Sequence, residues 1–263
     1  MSIVYNCVEV MSAIIVIPAR YESSRFPGKP LASLMGKPMI QHVYENSKRA
    51  VKAADVIVAT DDERIYETVC SFGGKAVMTS KAHATGTDRV AEVARSIGYD
   101  IIVNVQGDEP LVRPQMIDDV IGLLDDTGAH IGTLVRKITS AKELTDPHVV
   151  KVVFNGDGYA LYFSRAPIPY HRDEWRSLED LLSPSSISNN CHKHIGIYSY
   201  RREVLLRFAA LKASRLEDIE KLEQLRALEQ GLRVKITETS FDTIGVDVPG
   251  DLARVEQWLS LYS

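Results

Sequence analysis

Apolar residues in this chain fall into short blocks separated by stretches with helical spacing. Residues 13–17, 55–59, 75–78 and 100–105 are apolar, mostly β-branched blocks of strand length. Between them, residues 38–50, 62–72 and 87–97 carry apolar side chains at helical intervals, as in Val90, Ala91, Val93, Ala94 and Ile97. Gly73, Gly74 and Gly98 stand where those helices should stop, because glycine accepts the left-handed cap conformation. Strands that are apolar throughout and alternate with helices predict a mostly parallel, Rossmann-like sheet covered on both faces.

The rhythm changes after Ile131. Residues 149–154, 159–164 and 194–200 read as strands with no full helix between them, and Asn155-Gly156-Asp157-Gly158 closes the first two into a hairpin. Residues 170–192 are polar, with Ser183-Pro184-Ser185-Ser186 and Asn189-Asn190, and predict a long mobile loop of the kind that tends to be functional. A helix over 216–230 ended by Gly231, a strand over 234–239 and a helix after Pro249 complete the chain. On the 216–230 helix, Leu216, Ile219, Leu222 and Leu225 form the expected buried stripe, which leaves Glu223 and Gln224 facing a site or solvent. The expectation is a single α/β domain over residues 12–263, with a smaller antiparallel lobe contributed by residues 149–200.

Composition narrows the class without changing this picture. With 45% hydrophobic and 25% charged residues the chain can bury a large core, and a net charge of −4 provides no global basic field for nucleic acid or membrane. The apolar run 12–19 is broken by Pro18 and is far shorter than the ~20 residues of a membrane span. No cleavage site follows it, so the expected location is the cytoplasm. Residues 1–11 read as an N-terminal extension, with Met11 as an alternative start. The three cysteines, Cys7, Cys70 and Cys191, lack metal-ligand spacing and are expected to pack as small hydrophobes in a reducing compartment.

Candidate chemistry begins directly after the first strand. Residues 18–30 supply Arg20, Arg25 and Lys29, the hydroxyls of Ser23 and Ser24, and a turn at Gly28. Ligands of open α/β sheets bind beyond the carboxyl ends of the strands, and a triphosphate needs fixed cations and exposed backbone N–H groups there. The loop has neither the Walker A nor the Gly-x-Gly-x-x-Gly pattern. The strand at 100–105 runs into Gln106-Gly107-Asp108-Glu109-Pro110, which places a carboxylate at the same sheet edge, and Asp247 lies in a second turn before Pro249. Either aspartate could be a turn or capping residue; together they could hold Mg²⁺, a hard ion that takes carboxylate and phosphate oxygens. Taken alone, Glu223 reads sooner as a surface carboxylate, and His194 as a structural histidine, than as ligand-binding groups.

The strings Pro18-Ala19-Arg20-Tyr21, 24–31 (SRFPGKPL), 104–110 (NVQGDEP), 159–165 (YALYFSR), 194–198 (HIGIY) and 222–226 (LEQLR) together resemble the 3-deoxy-manno-octulosonate cytidylyltransferase family, also called CMP-KDO synthetases. The resemblance runs from about Ser12 to the C-terminus. It implies a nucleotide-diphospho-sugar transferase fold, a homodimer, and the reaction of CTP with KDO to CMP-KDO and pyrophosphate for lipopolysaccharide synthesis. It further implies that Ala19, Arg20, Ser23, Arg25 and Lys29 contact CTP, with Thr85 and Gly86 on the cytosine side. Gln106, Arg165, His194, Tyr198, Glu223 and Gln224 would read the sugar, and Asp108 with Asp247 would hold Mg²⁺. Lys29, Asp108 and Arg20 would be the catalytic groups, with residues 149–200 also serving dimerisation. Glu22, Arg215 and the Ser/Asn-rich 170–192 segment depart from the family pattern. A cytidylyltransferase for another acidic sugar, such as sialic acid, and a non-catalytic nucleotide-binding protein are the alternatives.

Overall fold

The structure, a computed structural model, describes residues 11–23, 25–183 and 190–262. The expected extension before Met11, the Ser24 hydroxyl and the Ser/Asn-rich stretch 184–189 lie outside the described residues.

In chain order the elements are β1 (Ala13–Ala19), the small pair β2 (Ser33–Leu34) and β3 (Lys37–Pro38), α1 (Met39–Ser47), β4 (Asp55–Thr60), α2 (Glu63–Ser71), β5 (Ala76–Met78), α3 (Gly86–Ser96) and β6 (Ile101–Asn104). The second half contains α4 (Pro114–Gly122), β7 (Ile131–Lys137), α5 (Ala141–Thr145), β8 (Lys151–Phe154), β9 (Ala160–Ser164) and α6 (Leu178–Leu182). It ends with β10 (His192–Arg201), α7 (Arg202–Ala209), α8 (Arg215–Glu220), α9 (Gln224–Glu229), β11 (Val234–Glu238) and α10 (Pro249–Tyr262).

The main sheet has the order β11-β7-β10-β6-β1-β4-β5, and the β8–β9 hairpin extends from the start of β10. β10 runs antiparallel to both β6 and β7, while β1 pairs in parallel with β4 and β6. This is the mixed, mostly parallel α/β architecture that the strand–helix alternation predicts. β1 is buried throughout, and its side chains alternate between two cores. Ile15 and Ile17 pack with α1, α2 and α4 through Ile40, Ile65 and Met116, whereas Ile14 and Val16 pack with α3 and α7 through Val90 and Phe208. The chain leaves β1 toward β4 on one side and returns through β6 on the other. A crevice therefore opens at the carboxyl ends of β1 and β6.

The structure corrects three expectations. Residues 216–230 are not one helix: α8 ends at Glu220, Lys221 takes φ 53°, and α9 starts at Gln224. The cause lies at the end of β9. Arg165 Nε donates to the Glu220 carbonyl at 2.6 Å, and the Glu220 carboxylate accepts from Arg165 N–H at 2.9 Å and Ser164 Oγ at 2.7 Å. These bonds hold the last turn of α8 and divert the chain. Leu222 and Leu225 are buried accordingly, but Ile219 is 67% exposed. The 170–192 segment is also not a free loop over its described part. Trp175 is buried with Ile138, Leu144 and Cys191, and Ser177 and Asp180 form a capping box on α6. Finally, Cys191 is buried but Cys70 is exposed, because Cys70 falls on the solvent side of α2; Cys7 is outside the described residues. Among the described residues no helix is long and apolar enough to cross a membrane.

Candidate active site

The crevice at the carboxyl edge is a cleft of about 230 Å³. Ala19, Arg20, Ser23, Arg25, Lys29, Thr85, Gly86, Gln106, Asp108 and Asp247 line it. Gly107 is what lets the end of β6 approach the end of β1, since a Cβ there would sit 2.8 Å from the Pro18 carbonyl oxygen. Val246 N–H donates to the Asp108 carbonyl at 3.0 Å, which ties the 245–247 turn to Asp108.

Two carboxylates of the cleft converge on one ammonium. Lys29 Nζ lies 2.6 Å from Asp108 Oδ2 and 3.8 Å from Asp247 Oδ1, and it also donates to the Val246 carbonyl at 2.7 Å. The Arg25 guanidinium donates two bonds of 3.1 Å to the Asp247 carboxylate. Two carboxylates from distant segments thus face one cationic centre. Behind Asp108, burial and the Asp108 charge push the Glu109 carboxyl up to about 8, and its Oε2 is buried with no hydrogen-bond partner among the described residues. No group of three or more His, Cys, Asp or Glu converges as a metal cage among the described residues. A pair of carboxylates suits Mg²⁺ only where phosphate oxygens and waters complete its shell.

Gln106 also lines a second, smaller hollow of about 70 Å³ with Tyr198, Glu223 and Gln224. Glu223 accepts from Thr87 Oγ1 at 2.6 Å, Thr85 Oγ1 at 3.3 Å and Arg226 Nη2 at 2.8 Å. Its burial nevertheless raises its pKa. Burial, with the Glu223 charge second, holds the Tyr198 phenol well above its usual range, so it remains a neutral donor. Gln106 Nε2 donates to Asn104 Oδ1 at 3.1 Å, which fixes the amide at the junction of the two cavities.

Two residues of the sugar-reading set stand elsewhere. The His194 ring packs behind Tyr198 at 5.2 Å between centroids, with Nε2 2.9 Å from Thr133 Oγ1, and it is not among the residues lining the hollow. The Arg165 guanidinium lines neither cavity and spends its donors on the carbonyls of Pro147, Glu220 and Lys221. Conversely, Arg89 lines the cleft, although no role was expected of it. Arg89 is 3% exposed and donates to Asp61 at 2.7 Å and to Thr79 Oγ1. A signal for it was present: a charge inside the apolar stripe of a helix needs a partner or a ligand.

The cytidylyltransferase family model matches residues 14–236. The chain is 56% identical over 246 residues to the 3-deoxy-manno-octulosonate cytidylyltransferase of Geotalea daltonii, covering 93% of this chain and 97% of that protein. It is 50% identical over 261 residues to the protein of the same name from Thermodesulfovibrio yellowstonii, covering 96% and 100%. Among solved structures, a CMP:2-keto-3-deoxy-manno-octonic acid synthetase complexed with CTP superposes with a TM-score of 0.87 at 44% identity, over 96% of this chain and 100% of that one. A 4-diphosphocytidyl-2C-methyl-D-erythritol synthase from Anaerococcus prevotii, at 10% identity and a TM-score of 0.62 over 96% and 100% of the two chains, shares the fold alone.

Proposed function

The chain belongs to the 3-deoxy-manno-octulosonate cytidylyltransferase family, and from that premise we propose that it transfers CMP from CTP to 3-deoxy-D-manno-octulosonate (KDO), releasing pyrophosphate. The observation that carries this reading is the junction of the two cavities at Gln106. A cation-walled cleft with two convergent carboxylates opens beside a hollow rich in hydroxyl-reading groups. The first suits a triphosphate and the second a polyhydroxylated acid.

In the transfer, the anomeric hydroxyl oxygen of the sugar forms a bond to the α-phosphorus in line with the leaving group. The bond from that phosphorus to the bridging oxygen breaks, pyrophosphate leaves with the electron pair, and the hydroxyl proton passes to solvent. Arg20, Arg25 and Lys29 offer charge-assisted donors to the triphosphate and to the departing pyrophosphate. Ser23 adds a hydroxyl beside them, while Ala19, Thr85 and Gly86 border the nucleoside. Asp108 and Asp247 would hold Mg²⁺, which supplies charge neutralisation on the phosphate oxygens and lowers the pKa of the attacking hydroxyl. Their common approach to Lys29 supports that role, because the ammonium stands where positive charge is stabilised. Gln106, Tyr198, Glu223 and Gln224 orient the sugar. Arg165 and His194 reach it only if their side chains leave their present partners.

Pyrophosphate release with KDO or with sialic acid as acceptor, each with and without Mg²⁺, tests the reading. Release from CTP requiring both KDO and Mg²⁺ is the expected result. CTP binding without turnover on either sugar would favour a non-catalytic nucleotide-binding role instead. The product would serve lipopolysaccharide assembly from the cytoplasm. The homodimer implied by the family would sediment at twice the chain mass.

A further inference from the structure

Beside the cleft, the phosphate loop is braced by residues that no part of the proposed chemistry uses. Asp62 caps α2, and its Oδ1 accepts from the backbone N–H of Arg64 at 3.0 Å and from Arg64 Nε at 2.9 Å. Its Oδ2 accepts from Arg64 Nη2 at 2.6 Å. So clamped, the guanidinium lies over the Tyr21 ring, with its central carbon 3.3 Å from the ring centroid. Tyr21 in turn joins the two limbs of the loop. Its carbonyl accepts from Gly28 N–H at 2.8 Å, and a Cβ on Gly28 would meet the Tyr21 ring at 3.1 Å. Gly28 has φ +72° and directly precedes Lys29, so this contact bears on where the ammonium enters the cleft.

We propose that Arg64 is a positioning residue that holds the phosphate loop in its binding shape through Tyr21. α2 is a firm support, because Ile65 and Val69 are fully buried in the core. Neither Arg64 nor Tyr21 lines the triphosphate cleft; both line a neighbouring open hollow that shares Arg20 and Ser23 with it. Arg64 therefore acts on the nucleotide through the loop rather than by touching it. A guanidinium on an aromatic face at an exposed site is a modest interaction. Its loss lowers the fraction of loops in the competent shape, and apparent affinity falls by that fraction while chemistry after binding does not.

The proposal rests on the cytidylyltransferase reading, and the experiment separates the two. CTP binding and CTP–KDO turnover by the wild-type protein test the reading; their absence overturns it. The brace is tested on R64A, R64K, Y21L and the double variant R64A/Y21L. R64A and Y21L are expected to raise KM for CTP about two- to fivefold, with kcat and KM for KDO unchanged. R64K should fall between R64A and wild type, since an ammonium keeps the charge but loses the planar stack. The double variant should be no worse than the worse single one. Hydrogen exchange of the Gly28 amide reads the same brace without nucleotide, and R64A should speed it. Wild-type KM for CTP and wild-type Gly28 exchange in R64A would overturn the proposal. So would full rescue by R64K together with a silent Y21L, which would mean that Arg64 acts by charge alone.

Discussion

His194 has its ring between Phe163 and Tyr198, with centroids 5.3 and 5.2 Å away, and burial lowers its pKa from 6.5 to about 3. The sign of the consequence follows from proton binding. Above pH 6.5 the folded and unfolded chains both carry a neutral imidazole. As pH falls below 6.5 the unfolded chain takes up a proton that the folded chain refuses until about pH 3. The stability associated with His194 is therefore complete above pH 6.5 and is lost progressively on descent toward pH 3. In urea unfolding from pH 7.5 to 4.5, the wild-type midpoint should fall more steeply than that of H194Q. Equal slopes would contradict the burial argument. At this scale the cationic loop was legible, since Arg20, Arg25 and Lys29 follow a strand that must end at the sheet edge. The direction of Arg165 was not: its donors are taken by carbonyls of the 147 and 220–221 segments, and nothing local to Arg165 announces them.

Among elements, the α8–α9 break shows how a tertiary contact overrides a periodic pattern. Leu216, Ile219, Leu222 and Leu225 have spacing that one helix would satisfy, yet Arg165 and Ser164 hold Glu220 and the chain turns through Lys221 at φ 53°. A side chain in the left-handed region costs about 1–2 kcal/mol relative to glycine, part of which glycine returns as added freedom in the unfolded chain. K221G should therefore raise unfolding free energy by about 0.5–1 kcal/mol in denaturant titration, with no change in the site. The Lys221–Asp218 ion pair lost in that variant is solvent-exposed, at 3.6 Å, and contributes little. A drop in stability would show that the Lys221 side chain matters more than its backbone. The 170–183 region teaches the same lesson, because its polar composition hid one buried anchor, Trp175.

For the whole molecule, the decisive event is the meeting of Asp108 and Asp247 at Lys29. Asp108 ends the turn after β6, and Asp247 arrives from beyond β11, held by the Val246–Asp108 backbone bond and the Arg25 pair. D108A should abolish turnover while leaving the cooperative unfolding transition intact, because Asp108 is partly exposed and the core lies beneath it. Near-normal turnover in D108A would remove the metal assignment.

The sequence alone determined the parallel β–α alternation, the hairpin at residues 155–158 and the placement of a cationic loop at the sheet edge. Each is set by local periodicity, turn chemistry or the direction in which a buried strand must end. Only the tertiary structure decided that β10 enters the sheet antiparallel between β6 and β7, that Gln106 joins the two cavities, and that Arg64 reaches the back of the loop through Tyr21. These depend on segments far apart in the chain, whose packing partners are specified by no short-range pattern.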